Sequence, residues 1–179
     1  MGSPKALMLV DGEPWWVRQS ARLESVGAKS CWVVSDAVEA AMTSDERAPS
    51  LRVIASCDDP MFASVVAGVS ALAENPPEGV FILPIDIPAP SRKAWIDCAA
   101  TDAVAAPVFN DQSGHPLYLP WAWAEQHLLV PGVDPLTSRL DSMIAGSLVR
   151  ISTDDSDTVM NLNRLDDLNN WLQRIRSNT

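Results

Sequence analysis

Asp86 is the residue best placed for chemistry, because it follows directly on an apolar run. The residues after Gly79 are apolar without alternation, which is typical of a strand covered on both faces. Ligands of open α/β sheets gather beyond the carboxyl ends of the strands, so Asp86 is a candidate ligand for a metal ion or a substrate. A structural alternative stays open, in which Asp86 begins a turn before a helix that starts at Ser91.

A cation and an imidazole are the other candidates. Lys5 follows the small residues Gly2-Ser3-Pro4, where a lysine could meet a phosphate, although a lysine near a terminus is often only solvated. The motif Gly114-His115-Pro116 predicts a turn with an imidazole at its edge, and a structural role for that histidine is the alternative. The acidic run at 154–157 is typical of a solvated loop, with a weak cation site as the second interpretation.

Composition and charge limit the classes of function. The 179-residue chain has a net charge of −10, which argues against a broad nucleic-acid surface but leaves a single nucleotide possible. Three widely spaced cysteines, Cys31, Cys57 and Cys98, suit buried thiols in a reducing compartment. No apolar run approaches the roughly 20 residues of a membrane span, and the first residues lack the layout of a signal peptide. We therefore expect a cytoplasmic protein that binds no membrane and no nucleic acid.

The elements that must position these residues alternate between strand and helix. Spacings near 25 residues predict βαβ units, hence a three-layer α/β sandwich with a doubly wound, mostly parallel sheet. Residues 79–83 are the expected central strand, and no repeat or linker divides residues 1–179, so we predict one domain. The predicted strands cover 30–35, 51–55, 79–83, 103–109, 115–119 and 148–152. The predicted helices cover 14–26, 37–42, 64–72, 91–100, 121–129, 136–145 and 164–175.

Six short motifs together resemble the MobA-like nucleotidyltransferases, which include the guanylyl- and cytidylyltransferases of molybdenum-cofactor synthesis. That family carries R-M-G-x-x-K-x-L, G-x-P, S-x-x-x-G, L-P-x-D-x-P, G-H-P and N-x-N-T-P-E-D-L. The matching stretches occur in the same order along nearly the whole chain: Met1 to Leu7, Gly12 to Pro14, Ser64 to Gly68, Leu83 to Pro88, Gly114 to Pro116, and Asn161 to Leu168. Arg164-Leu165 replaces the family's Thr-Pro.

The resemblance implies a Rossmann-like nucleotidyltransferase fold and a reaction. A phosphorylated acceptor, such as molybdopterin, would attack the α-phosphorus of GTP or CTP and release pyrophosphate. Such chemistry relies on positioning and charge neutralisation, so it needs little general base.

The resemblance also implies roles for individual residues. Lys5 and Asp86 are the implied catalytic residues, with Lys5 on the triphosphate. The implied nucleotide-binding residues are Gly2, Lys5, Ser64 and Gly68. The implied ligands of Mg²⁺ are Asp86, Asn161 and Asn163. His115 would border the acceptor substrate.

One departure keeps two alternatives open. The printed sequence lacks the family's first strand and its G-G-x-S-x-R loop, whose amides cradle the triphosphate. Without that strand its neighbours should close up, recruit Ala6 to Val10, or pair with another chain as a homodimer. One alternative is a non-catalytic member that binds a partner through exposed Trp15-Trp16 and Trp121-x-Trp123. The other is a nucleotidyltransferase that acts on a sugar phosphate.

Overall fold

The computed structural model describes residues 4–177. The strands are β1 Leu9–Val10, β2 Glu13–Pro14, β3 Cys31–Val34, β4 Leu51–Ile54, β5 Gly79–Ile82, β6 Ala105–Phe109, β7 Gln112–Ser113, β8 Leu117–Pro120 and β9 Val149–Ser152. The helices are α1 Trp15–Ser25, α2 Asp36–Met42, α3 Met61–Ala71, α4 Arg92–Ala99, α5 Trp121–Leu128, α6 Leu140–Ile144 and α7 Leu165–Ser177. Two single 3₁₀ turns lie at Lys5–Leu7 and Ser156–Val159.

The strands form an α/β arrangement, as predicted, but the sheet is mixed rather than mostly parallel. β3 pairs with β4 and β6 with β9 in parallel, whereas β8 is antiparallel to both β5 and β6. Seven residues separate the end of β6 at Phe109 from the start of β8 at Leu117. A connection that short can only return the chain antiparallel, since a parallel return needs a crossover of a dozen or more residues.

Helices cover both faces of the five-stranded sheet, which gives the three predicted layers. Val80 of β5 packs in a cluster with Phe62 and Val69 of α3 and with Leu128 of α5. The next residue, Phe81, points to the opposite face, where its ring meets that of Trp95 in α4 edge-on at 5.0 Å between centroids. Successive strand residues face opposite sides, so the unbroken apolar sequence of β5 fits burial between two helical layers.

The strands β3 and β5 each have one unpaired edge within residues 4–177. β5 pairs only with β8, and β3 pairs only with β4, so residues 79–82 form an edge of the five-stranded sheet and the prediction of a central strand there is wrong. Helix α3 packs against both β3 and the β5 sheet. The neighbours have therefore not closed up through hydrogen bonds, and Leu9–Val10 pairs with Glu13–Pro14 instead of being recruited to either edge.

The tryptophan pair that the partner-binding alternative requires at the surface is buried. Trp15 is 2% and Trp16 1% exposed. Trp121 and Trp123 are partly buried against the core of the five-stranded sheet. These side chains fill the protein interior because large aromatic rings supply much of a core's buried apolar area. Within residues 4–177 there is also no helix with both the length and the apolar character to cross a membrane.

Candidate active site

Three residues that are far apart in sequence meet at one point. The Lys5 ammonium donates to Asp86 Oδ2 at 2.6 Å and to Asn163 Oδ1 at 2.5 Å. The side chains of Lys5 and Asp86 are 35% and 21% exposed, so the cluster is open to solvent on one side. The sequence prediction that these residues share a site agrees with this geometry. Asn163 turns its amide oxygen to Lys5.

Each member of the cluster is held by a buried neighbour. Ala6, next to Lys5, packs with Trp16 and the residues of α2. Ile85 and Ile87 flank Asp86; Ile85 packs against Trp15 and Trp16, while Ile87 is 6% exposed. Leu162, next to Asn163, is buried with Trp15 and Trp171. Apolar side chains thus fix the backbone on both sides while the polar ones face outward.

The loop that carries Asp86 is a turn rather than a continuation of the strand. Ile87 N donates to Pro84 O at 3.1 Å, which closes the turn, and Leu162 N donates to Asp86 O at 2.8 Å. Prolines at 84, 88 and 90 carry no amide hydrogen and so cannot extend the strand. The hydrogen bond from Leu162 ties the Asp86 loop directly to the segment that presents Asn163.

His115 lies beside this cluster on a tightly packed turn. A Cβ on Gly114 would stand 2.2 Å from the carbonyl oxygen of Thr158, so only glycine fits there. His115 N donates to the same oxygen at 2.7 Å, and the His115-Pro116 peptide is cis. His115 Nδ1 is 3.3 Å from Ile82 O, which assigns the proton to Nδ1 and leaves Nε2 as an acceptor.

The electrostatics of His115 favour the neutral ring. Burial lowers its pKa, while the hydrogen bond to Ile82 and the negative charge of Asp86 act in the opposite direction. The influence of Asp86 indicates that the imidazole and the carboxylate share one electrostatic environment. A neutral imidazole can accept a hydrogen bond where an imidazolium could not.

Other predicted site residues are not joined to the cluster. Ser64 and Gly68 lie in α3, where Gly68 allows a close approach to β3: a Cβ there would be 2.9 Å from Val33 Cγ2. Asn161 lines a separate shallow cleft with Asp167 and Arg174. Gly2 lies outside the described residues. The nucleotide and metal roles of these residues stay predictions.

The acidic run at 154–157 is not a solvated loop throughout. Asp157 is 8% exposed and pairs with Arg22 Nη2 at 3.0 Å and with Arg174, while Trp171 Nε1 donates to it at 3.0 Å. Its partners come from α1 and α7, so no local pattern in the sequence revealed its burial. The expectation of a solvated loop is wrong for this residue.

Sequence reasoning also missed Gln19 in α1, which is only 2% exposed. Its side-chain amide bonds to the backbone of Ile87 and Ala89, just beyond Asp86. A polar residue inside the apolar stripe of a helix was the available signal, because buried amides need partners.

The donor set at Asp86 fits a hard divalent cation. No group of three or more His, Cys, Asp or Glu side chains that could hold a metal ion occurs in the part of the chain from 4 to 177. The cluster instead offers one carboxylate and the amide oxygen of Asn163. Mg²⁺ is commonly held by one or two carboxylates together with substrate phosphates, so an all-protein cage is not required.

Comparisons with known proteins agree with the fold and the motifs. The sequence pattern of the MobA-like NTP transferase domain matches residues 1–143, and the chain belongs to this family. No curated protein matches the sequence significantly.

Solved structures share the fold at low sequence identity. A nucleotidyl transferase from Methanothermobacter thermautotroptrophicus (Mth528) superposes with a TM-score of 0.70 at 18% identity, over 98% of this chain and 86% of that chain. The Rv0371c homologue from Mycobacterium sp. strain JC1 gives a TM-score of 0.73 at 18% identity, over 100% and 91% of the two chains. Rv0371c of Mycobacterium tuberculosis H37Rv, in complex with manganese, gives 0.60 at 12% identity, over 95% and 91%. The predicted nucleotidyltransferase fold is confirmed.

Proposed function

We propose that the protein transfers a nucleoside monophosphate from a nucleoside triphosphate to a phosphorylated acceptor and releases pyrophosphate. The observation that carries the proposal is the meeting of the Lys5 ammonium with Asp86 at 2.6 Å and Asn163 at 2.5 Å. A lysine, a carboxylate and an amide oxygen at one solvent-open point supply the charges that phosphoryl-group chemistry requires. Membership of the MobA-like family supports the same reaction class.

Lys5 and Asp86 divide the electrostatic work in this proposal. A divalent cation, Mg²⁺ by our proposal, would be held by Asp86 with Asn163 and would neutralise phosphate charge. The manganese complex of Rv0371c makes such an ion plausible here. Lys5 would leave Asp86 to contact the triphosphate, since its ammonium pairs with oxygen anions without a fixed geometry.

His115 contributes an orienting contact on the acceptor side. Its neutral ring, with the proton on Nδ1 toward Ile82 O, presents Nε2 as an acceptor for a hydroxyl or a protonated phosphate. The packed Gly114 turn restricts movement of the ring. Binding and orientation are therefore its proposed role, rather than removal of a proton.

The proposed substrates follow from the resemblance to the MobA-like family. We propose GTP or CTP as the donor, with Gly2, Ser64 and Gly68 at its nucleotide end, and molybdopterin as the first acceptor to test. A sugar phosphate is the second acceptor, because the shared nucleotidyltransferase fold accommodates both. We also propose action in the cytoplasm, supported by the free thiols, of which Cys98 is buried as expected whereas Cys31 is half-buried and Cys57 exposed.

Titration calorimetry with GTP and CTP in the presence of Mn²⁺ or Mg²⁺ tests the proposal. Asp86→Asn should weaken nucleotide binding by more than tenfold, about 1.4 kcal/mol, because it removes the carboxylate that holds the cation. Asp97→Asn is the matched control, since Asp97 also pairs with a lysine, Lys93, at 2.5 Å but on an exposed helix surface. Equal affinity in the wild type and Asp86→Asn would refute the role of Asp86. Pyrophosphate release with a pterin phosphate or a sugar phosphate then distinguishes the two acceptors.

A further inference from the structure

We infer that Gln19, supported by Trp15 and Arg22, is a positioning residue that fixes the Asp86 carboxylate through the backbone that follows it. The inference rests on the proposed function only in that Asp86 is taken as the cation ligand. The contacts themselves form a continuous set between one face of α1 and the loop from Ile85 to Ala89.

Three side chains of α1 bond to alternate carbonyl groups of that loop. Trp15 Nε1 donates to Ile85 O at 2.7 Å and Gln19 Nε2 to Ile87 O at 2.6 Å. Arg22 Nε donates to Ala89 O at 2.9 Å. The side chains that should stabilise the loop are thus spaced four and three residues apart on α1.

The spacing of the donors follows from helix geometry. Residues four and three apart on a helix share a face and rise about 6 Å and 4.5 Å along its axis. The loop turns between Pro84 and Ile87 and belongs to no strand, so the carbonyls of Ile85, Ile87 and Ala89 are not paired in a sheet. One helix face can therefore supply donors to a stretch that its prolines keep out of a sheet.

Gln19 is the middle one of the three side chains, and it bonds to the loop through both the nitrogen and the oxygen of its amide. Besides the bond to Ile87 O, its Oε1 accepts from Ala89 N at 3.1 Å. The side chain is only 2% exposed, so a lost bond could not be replaced easily by water. Gln19 thereby fixes the carbonyl of Ile87 and the amide of Ala89, both on the C-terminal side of Asp86.

The constraint reaches Asp86 because Ile87 is its direct neighbour. The carbonyl of Asp86 itself accepts from Leu162 N at 2.8 Å. The loop is therefore clamped between α1 and the segment that presents Asn163. Loss of the Gln19 bonds should let Asp86 move relative to Lys5 and Asn163, without removing any group that contacts the cation.

Mn²⁺ affinity, measured by electron paramagnetic resonance, tests the inference. Gln19→Met keeps the length of the side chain and loses both bonds; it should weaken Mn²⁺ binding by tenfold or more, the range found when groups behind metal ligands are removed. Gln19→Glu keeps an acceptor for Ala89 N and loses the donor to Ile87 O, so it should also weaken Mn²⁺ binding. Ser20→Ala is the control, because Ser20 is buried on the same helix and its hydroxyl makes no hydrogen bond in residues 4–177.

Amide hydrogen exchange separates positioning from general destabilisation. In Gln19→Met the Leu162 amide should exchange faster, whereas the amide of Leu119 in β8 should keep its wild-type rate. A purely structural role would speed both amides by the same factor, because both would exchange through unfolding of the whole chain. That result would overturn the inference.

The variant Asp86→Asn distinguishes a failure of the inference about Gln19 from a failure of the proposed function. If it loses Mn²⁺ binding while both Gln19 variants keep wild-type affinity, the inference is overturned and the proposed function stands. If Asp86→Asn binds Mn²⁺ normally, the proposed function is overturned. Should the Gln19 variants not fold, Trp15→Phe tests the same loop, since it removes the indole donor to Ile85 together with part of the packing against Trp171; wild-type affinity there would count against the clamp.

Discussion

Asp86 and Asp157 are two carboxylates with cationic partners from distant parts of the chain, but their surroundings differ. Asp86 has one ammonium partner, Lys5, and is 21% exposed. Asp157 has two arginine partners and a tryptophan donor, and its side chain is 12% exposed. Burial raises the pKa of Asp157, while Trp171 and the arginines act in the opposite direction.

Asp86 can take a new ligand, whereas the carboxylate oxygens of Asp157 are already occupied by hydrogen bonds that hold the fold together. Both oxygens of Asp157 already accept bonds, Oδ2 from Arg22 and Oδ1 from Trp171 and Arg174. At Asp86 the only side-chain partner within residues 4–177 is Lys5, a flexible amine. A cation that binds at Asp86 has to displace only the Lys5 side chain, whereas at Asp157 it would have to disrupt a packed network of hydrogen bonds.

The largest expected effect is on stability at the buried carboxylate. Asp157→Ala should lower the free energy of unfolding by roughly 3 kcal/mol, because it leaves two arginines and an indole without their acceptor. Asp86→Ala should cost less than about 1 kcal/mol, since a half-exposed ion pair contributes little. Urea unfolding of both variants measures the difference, and equal losses would show that the two carboxylates are not distinct in this sense.

A smaller effect is expected when Lys5 is replaced, and the change in affinity should have opposite signs for Mn²⁺ alone and for the Mn²⁺–GTP complex. Lys5→Met should strengthen Mn²⁺ binding to the nucleotide-free protein by about fivefold, near 1 kcal/mol, because no ammonium then competes for Asp86. The same variant should weaken binding of the Mn²⁺–GTP complex, which needs that charge. Calorimetry with each ligand tests this, with Lys93→Met as the control. Weaker binding of Mn²⁺ alone would mean that Lys5 does not compete for the carboxylate.

The smallest effect is the pH dependence from His115. Its pKa in the folded protein lies below the ordinary 6.5, so the unfolded chain takes up the proton first as the pH falls. The free energy of unfolding should therefore decrease as the pH drops through 6.5. The decrease should level off below the pKa of the folded state.

Urea unfolding between pH 8 and 5 checks this slope. His115→Gln should lack the His115 contribution and His127→Gln should retain it. If His115→Gln shows the wild-type pH dependence, the buried imidazole is not its source.

Much of the fold could be predicted from the sequence, because most elements carry local signals. Pro14 and Gly27 bracket α1, and the apolar run after Gly79 marks β5. The direction of β8 could not be read from an average strand spacing, since a short hairpin reverses the chain. The site residues Lys5, Asp86 and Asn163 followed from motif order, whereas Gln19 and Asp157 depend on contacts 68 to 135 residues away.

The residues of the Lys5 cluster are far apart in sequence, and this separation has a consequence for folding. Lys5 lies 81 residues from Asp86 and 158 from Asn163, so the cluster closes only when both ends of the chain have reached the sheet. Contacts over such separations form late, because the entropy of closing a long loop opposes them. A cation held there binds the native state in preference to partly folded ones. Its presence should therefore raise the melting temperature in proportion to the logarithm of its concentration, which makes the site a reporter of complete folding.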